Sequence, residues 1–164
     1  MHNYVQNLLS FGTLLMVAAG LTGCSGDYNG GGVIPSSSGV DGETATFGFT
    51  IHAANDGQDC NNITAVTGQL EYIDHGTGMV LHAKMTDFAG VYADDEGNVT
   101  PLFLGDYYVK GKKQGSLLVA VIDYKDRQED LFFINVLDGP YQDYKNHGTF
   151  QKGNITYIPD SICP

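Results

Sequence analysis

Basic residues are scarce in this chain, with 8 Lys and Arg against 19 Asp and Glu among 164 residues, for a formal net charge of −11. A surface that binds nucleic acid draws much of its affinity from clustered cations that displace counterions from phosphate. Only Lys110, Lys112 and Lys113 lie close together in sequence, which is too few, so nucleic acid is excluded as a partner. Cysteine occurs three times and never as Cys-x-x-Cys, which argues against a redox-active pair. No Gly-x-Ser-x-Gly string is present, so the exposed elbow of a serine nucleophile is missing. From Glu43 onward no stretch holds apolar residues at i, i+3, i+4, i+7 through three turns, so helices are not expected. Disorder is equally unlike this chain, because 42% hydrophobic and 11% aromatic content calls for a packed core.

What is present begins with an apolar, uncharged run over residues 8–22, shorter than the roughly 20 residues that span a bilayer. It has the character of a signal-peptide core, although Met1–Gln6 ahead of it carries no Lys or Arg. Directly after it, Leu21-Thr22-Gly23-Cys24 resembles the bacterial lipobox, in which the cysteine is diacylated and becomes the mature N-terminus. That resemblance implies a bacterial lipoprotein with a palmitate-type anchor on Cys24, its partner being a membrane, because two or three acyl chains make anchoring effectively permanent. Ser25 in place of Asp after the cysteine points to the outer membrane or cell surface. Residues 24–42 are rich in Gly and Ser with no apolar period, so they read as a flexible spacer with a reach of roughly 20 to 25 Å. The signal is thus assigned to residues 1–23, the acylated cysteine and linker to 24–42, and the folded domain to 43–164.

Within that domain, short segments rich in Val, Ile, Thr, Tyr and Phe recur about every ten residues between Gly, Asn and Asp. Strands are predicted near Ala45–Ala53, Thr67–Ile73, Met79–Phe88, Thr100–Leu104, Asp106–Lys110, Ser116–Tyr124, Asp130–Val136 and Thr149–Ile158. Phe47, Phe49 and Ile51 share one face of the first, as a half-buried strand requires. Asp74–Gly78 and Gly111–Gly115 read as hairpin turns, and Asp94-Asp95-Glu96-Gly97-Asn98 as an acidic tip. The fold class is therefore all-β, a single antiparallel meander of about eight strands that closes as a small barrel or sandwich.

Several strings carry a family resemblance: Phe47-Gly48-Phe49, Gly68-Gln69-Leu70-Glu71-Tyr72-Ile73-Asp74-His75-Gly76-Thr77-Gly78, His82, Val121-Ile122-Asp123, Asp130-Leu131-Phe132-Phe133-Ile134, Gly139-Pro140-Tyr141, Gly148-Thr149-Phe150 and Gly153-Asn154-Ile155. Over about 110 residues their order is similar to the "post-COAP" type of secreted or surface bacterial domain. The resemblance implies a small all-β domain with no established catalysis. The chain departs from it in standing alone behind a lipid anchor and in carrying Cys60 and Cys163.

With Cys24 acylated, Cys60 and Cys163 remain in an oxidising compartment, where a disulfide is the economical expectation. It would close a loop of about 100 residues, worth roughly 4 to 5 kcal/mol in the chain-entropy model. Free thiols or an intermolecular bridge are the alternatives. Asp74 and His75, with His82 nearby, could form an acid/base pair or metal site. Asp74 capping its own turn accounts for the same string, and His52, His82 and His147 lie in unrelated segments. Asp123, Asp126, Glu129 and Asp130 are the better of two weak calcium candidates, since neither acidic cluster has the Asp-x-Asp-x-Asp-Gly spacing. Tyr107, Tyr108, Tyr124, Tyr141 and Tyr144 near predicted turns, together with His75 and His82, are candidates for a binding surface. Paired carboxylates for glycoside hydrolysis stay open, because any two of 19 acids can converge.

The expectation is a non-enzymatic envelope lipoprotein without cofactor, acting as a structural or binding module toward a protein or carbohydrate partner. Its rivals are a subunit of a surface assembly or filament joined through β-edges, and a ligand-carrying or hydrolytic envelope protein with an open lumen.

Overall fold

The computed structural model describes residues 25–55, 62–93, 99–122 and 130–160. They form nine antiparallel strands in chain order: β1 (Gly26–Pro35), β2 (Thr44–Asn55), β3 (Ile63–Asp74), β4 (Met79–Ala93), β5 (Val99–Val109), β6 (Lys112–Ile122), β7 (Leu131–Val136), β8 (Lys145–Thr149) and β9 (Lys152–Pro159). All nine belong to one sheet of order β8-β7-β6-β5-β4-β3-β2-β1-β9, so the expected meander forms and is a single sheet, not a sandwich. The sheet is strongly curled into a half-barrel. Its two end strands are consecutive in sequence: β8 pairs with β7, and the chain then crosses to pair as β9 with the far side of β1. The seam between β8 and β1 is bridged by Asn146, whose side-chain amide donates to the Pro35 carbonyl at 3.0 Å.

Alternate residues of each strand point inward. Ala45, Phe47, Phe49, Ile51 and Ala53 from β2 meet Leu70 and Tyr72 from β3, Leu81 and Met85 from β4, Phe103 from β5, Leu117 and Val119 from β6 and Phe132 and Ile134 from β7. The Phe47 and Phe132 rings stack across the interior at 3.9 Å between centroids, and Tyr28 of β1 meets Phe103 edge-on at 5.2 Å. Side chains fill the inside of the curl. On the outer wall a smaller apolar cluster joins Leu102, Ala120, Leu131 and Phe133.

Several expectations about strands change, and the hairpin turn expected at Gly111–Gly115 is the tighter Lys110-Gly111, with Lys112–Gly115 already in β6. The segments Thr100–Leu104 and Asp106–Lys110 are one strand, β5, because Gly105 between them does not break it. A Cβ there would lie 2.9 Å from the Lys84 carbonyl, so the glycine lets β4 and β5 approach closely. The larger correction concerns residues 24–42, expected as a flexible spacer, of which Gly26–Pro35 forms β1 between β2 and β9. The domain therefore begins by Gly26 and not at 43. Its glycines suit the packing: a Cβ on Gly31 would stand 2.9 Å from the Phe47 carbonyl oxygen, and one on Gly32 would stand 2.6 Å from that of Lys152. Composition alone cannot distinguish a glycine run that is free from one that is tightly packed.

Candidate functional site

In a meander the hairpin turns alternate between two rims. The β1–β2, β3–β4, β5–β6 and β7–β8 connections share one rim, and Asp74, His75, His82, Tyr107, Tyr108, Tyr141 and Tyr144 lie at or near it.

On its inner side, Asp74 ends β3 with its side chain fully buried. Its carboxylate accepts from the Ser36 hydroxyl, the Ser37 hydroxyl at 2.7 Å, the Ser37 amide at 3.1 Å, the Gly76 amide at 3.0 Å, the Thr77 amide at 3.2 Å and the Tyr144 hydroxyl. Tyr144 and Tyr72 share a hydrogen bond of 2.7 Å, and Asn146 donates to the Tyr72 hydroxyl at 2.7 Å. Asp74 thus caps its own turn and also draws the β1–β2 turn and the β7–β8 connection onto β3. Burial would raise its carboxyl, yet the hydrogen bonds from Ser36, Tyr144 and Ser37 outweigh it and hold the group well below the carboxylate range. Desolvation pushes the Tyr72 phenol up to about 12, and it raises Tyr144 further with the help of the bonded Asp74. Among the described residues no buried side-chain nitrogen or oxygen lacks a partner. A carboxylate so completely satisfied is a latch for three connections and has no lone pair to offer a substrate.

The rim's outer side is different in kind. Glu71 of β3, His82 of β4 and Tyr108 of β5 sit in cross-strand register with their side chains outward. Glu71 accepts from or pairs with His82 Nδ1, and the His82 and Tyr108 rings lie 6.4 Å apart. Lys84 places its ammonium 5.5 Å from the centre of the Tyr108 ring, within cation–π range. With Val80 and Lys110 these residues line an open groove of about 570 Å³. Past the β5–β6 turn, a second depression of about 320 Å³ is lined by Val109, Lys110, Lys112, Gln114, Pro140 and Tyr141. Of the eight basic residues, Lys110, Lys112 and Lys113 flank the β5–β6 turn and Lys84 stands on the neighbouring strand β4.

The sequence candidates separate accordingly. His82 and Tyr108 belong to the groove. Tyr107 does not: it points inward and is fully buried, donating to the Asp138 carbonyl at 3.1 Å, and burial raises its phenol. Adjacent strand residues face opposite sides, so only one of the Tyr107–Tyr108 pair can reach solvent. His75 is exposed at the β3–β4 turn, 3.2 Å from the Thr46 hydroxyl, and His52 pairs with Asp27 at 2.8 Å. The histidines do not converge, and Asp74 faces away from His75. Among the described residues no three His, Cys, Asp or Glu side chains are placed to hold a metal. Asp130 is engaged within the fold, accepting from the Ile155 amide at 2.7 Å. Asp123, Asp126 and Glu129, as well as Cys24, Cys60, Cys163 and Tyr124, lie outside the described residues. Lys84 and Lys110 were not candidates from sequence, since they are 26 positions apart and come to border one groove only through the pairing of β4 with β5.

Comparison with protein-family models, with curated proteins and with solved structures finds no match to this chain.

Proposed function

We propose that this chain is an envelope lipoprotein, anchored through Cys24, whose β-domain is a non-catalytic binding module that recognises its partner on the outer wall of the half-barrel. The observation that carries this reading is the contrast between a curl filled by Phe47, Phe132, Phe103 and Leu70 and an open groove beside His82, Lys84 and Tyr108. A carrier or hydrolase acting in a lumen needs room where these rings stack. The lipobox and the post-COAP resemblance support the location and the module reading from the sequence side.

Anchoring at Cys24 also orients the module. Only Ser25 separates that cysteine from β1 in the sequence, so an anchor there leaves almost no tether ahead of the strand. Ser25 is itself buried, its hydroxyl accepting from Asn55 at 2.9 Å and its carbonyl from the Tyr157 hydroxyl at 2.8 Å. Ten residues of β1 then rise about 33 Å to the rim that bears the groove. The domain stands directly on the membrane, with the groove's rim turned away from it.

Two measurements test this. Metabolic labelling with a clickable palmitate analogue is expected to mark the wild type and not Cys24→Ala; equal labelling of both would remove the anchor. Protein purified from its own membrane in detergent is expected to bind isolated envelope material, and Tyr108→Ala to bind at least tenfold more weakly. Undiminished binding by the variant would move the partner elsewhere on the surface.

A further inference from the structure

We infer that the groove and its flanking hairpin bind an acidic glycan, a saccharide chain bearing carboxylate or sulfate groups, with Lys84 and Lys110 meeting the anions and Tyr108 stacking on a sugar ring. The inference rests on the binding-module reading and specifies the ligand of that same site.

Charge is the first observation. In a chain of net charge −11, chance would surround each cation with carboxylates, and Lys113 indeed pairs with Asp106 at 2.7 Å. Lys84, Lys110 and Lys112 form no ion pair among the described residues, as is also true of Lys145 and Lys152, but Lys110 and Lys112 flank one turn and Lys84 stands on the adjacent strand opposite Asp106. The one acid lining the groove, Glu71, is already engaged by His82. The groove therefore gathers two cations of an acidic protein beside one engaged acid, a local charge complementary to an anion.

The second observation is backbone geometry. The two-residue turn between β5 and β6 consists of Lys110 at φ 51° and Gly111 at φ 77°. Both residues of such a turn occupy the left-handed region, where Asn or Gly sits at the first position with little strain. A lysine there costs on the order of 1 kcal/mol. Lys110 borders both depressions, so the strained position stands between the two. Strain held at such a point is characteristic of functional positions.

The third observation selects the class of ligand. The groove lies on the face of the sheet, across strands paired on both sides, so the ladders already use the backbone groups. A peptide would find no free edge for β-addition, the mode that gives extended peptides their main-chain affinity. Recognition must come from side chains. Tyr108 on one side of the turn and Tyr141 on the other offer aromatic surface, with lysines between them. Flat aromatic area interleaved with cations suits a chain of sugar rings that carries regularly spaced anions.

The test uses detergent-purified full-length protein bound to envelope material, with defined competitors: oligogalacturonate, a sulfated oligosaccharide of similar length, neutral maltohexaose, and polyglutamate of matched charge. The expected result is displacement by one or both acidic saccharides at concentrations at least tenfold below maltohexaose and polyglutamate, weakening as salt rises. Which of the two displaces more strongly identifies carboxylate or sulfate as the anion. Lys84→Gln with Lys110→Asn is expected to lower direct binding of that saccharide at least tenfold. Lys110→Asn alone is expected to weaken binding while leaving the thermal midpoint equal or higher, because Asn accepts the left-handed turn; a merely structural lysine would not separate the two readouts. Competition by maltohexaose as effective as by the acids, or by polyglutamate as effective as by either, would overturn the ligand class. So would envelope binding that depends on Tyr108 but yields to no saccharide, an outcome that leaves the module reading intact. Absence of any envelope binding by the wild type would instead remove the reading on which the inference rests.

Discussion

On the inner side of the turn-bearing rim a single carboxylate, Asp74, is met by hydroxyls and amides from Ser36, Ser37, Gly76, Thr77 and Tyr144, while on the outer side Lys84, Lys110 and Lys112 have no carboxylate partner among the described residues. The two sides are built from the same strands, since β3 supplies Asp74 inward and Glu71 outward, and β5 supplies Tyr107 inward and Tyr108 outward. A buried polar group left without partners costs far more than it returns, so the inner side had to be saturated to be compatible with folding. Exposed cations carry no such penalty, because water solvates them until a ligand arrives. Satisfaction marks the inner face as structural, and the outer face is the one proposed to recognise a partner.

The contrast is sharpest in stability. Asp74→Ala removes the acceptor common to three connections and strands buried donors, so it is expected to cost at least about 3 kcal/mol in urea unfolding. Lys84→Gln on the outer side is expected to stay within about 0.5 kcal/mol of wild type. Similar losses for the two would erase the distinction between the faces.

Strand β1 extends the comparison to a segment whose composition looks unstructured. Gly31→Val is expected to destabilise by about 1 to 3 kcal/mol, since its side chain would collide with the β2 backbone. Unchanged stability would mean that β1 tolerates separation from β2. Tyr144→Phe, which removes one of the donors to Asp74 and the bond to Tyr72, is expected to cost about 1 to 2 kcal/mol by the same assay.

The pH dependence follows from the same latch. Asp74 has its folded carboxyl depressed, so its contribution is complete above the unfolded value of about 3.9 and is lost as pH falls below it. Stability measured from pH 7 to 2 should therefore fall more steeply in wild type than in Asp74→Asn; parallel curves would show that the carboxylate is not specifically stabilised. Tyr72 behaves in the opposite sense. Its raised folded value of about 12 makes its contribution complete below the unfolded value near 10 and lost as pH climbs from there through 12. Ultraviolet titration is expected to show Tyr72 and Tyr144 ionising only as the protein unfolds in alkali, and early ionisation in the Tyr72→Phe difference spectrum would contradict the buried network.

Most of the meander was legible because period-2 alternation and Gly- or Asp-rich turns report local geometry. Phe47, Phe49 and Ile51 face inward as their spacing implies. The turn after Asp74 was also visible, since a carboxylate two and three positions before free amides is a local pattern. Strand β8, Lys145–Thr149, was not, because Lys-Asn-His-Gly-Thr has neither alternation nor β-propensity and is held by its pairing with β7. Nor could the sequence separate Tyr107 from Tyr108 as inside and outside, because Leu102, Phe103 and Leu104 make both faces of β5 apolar and leave the phase of its alternation open.

By itself the sequence determined an all-β chain with a strong acid excess, a packed aromatic core and the positions of most turns, because these depend on composition and on contacts a few residues apart. Tertiary structure alone decided that a glycine-rich stretch is a strand paired on both sides, that Ser36, Asp74 and Tyr144 form one latch, and that Lys84 and Lys110 border one groove. Each of those facts joins residues from 26 to more than 100 positions apart, and only the register of the curled sheet brings them together.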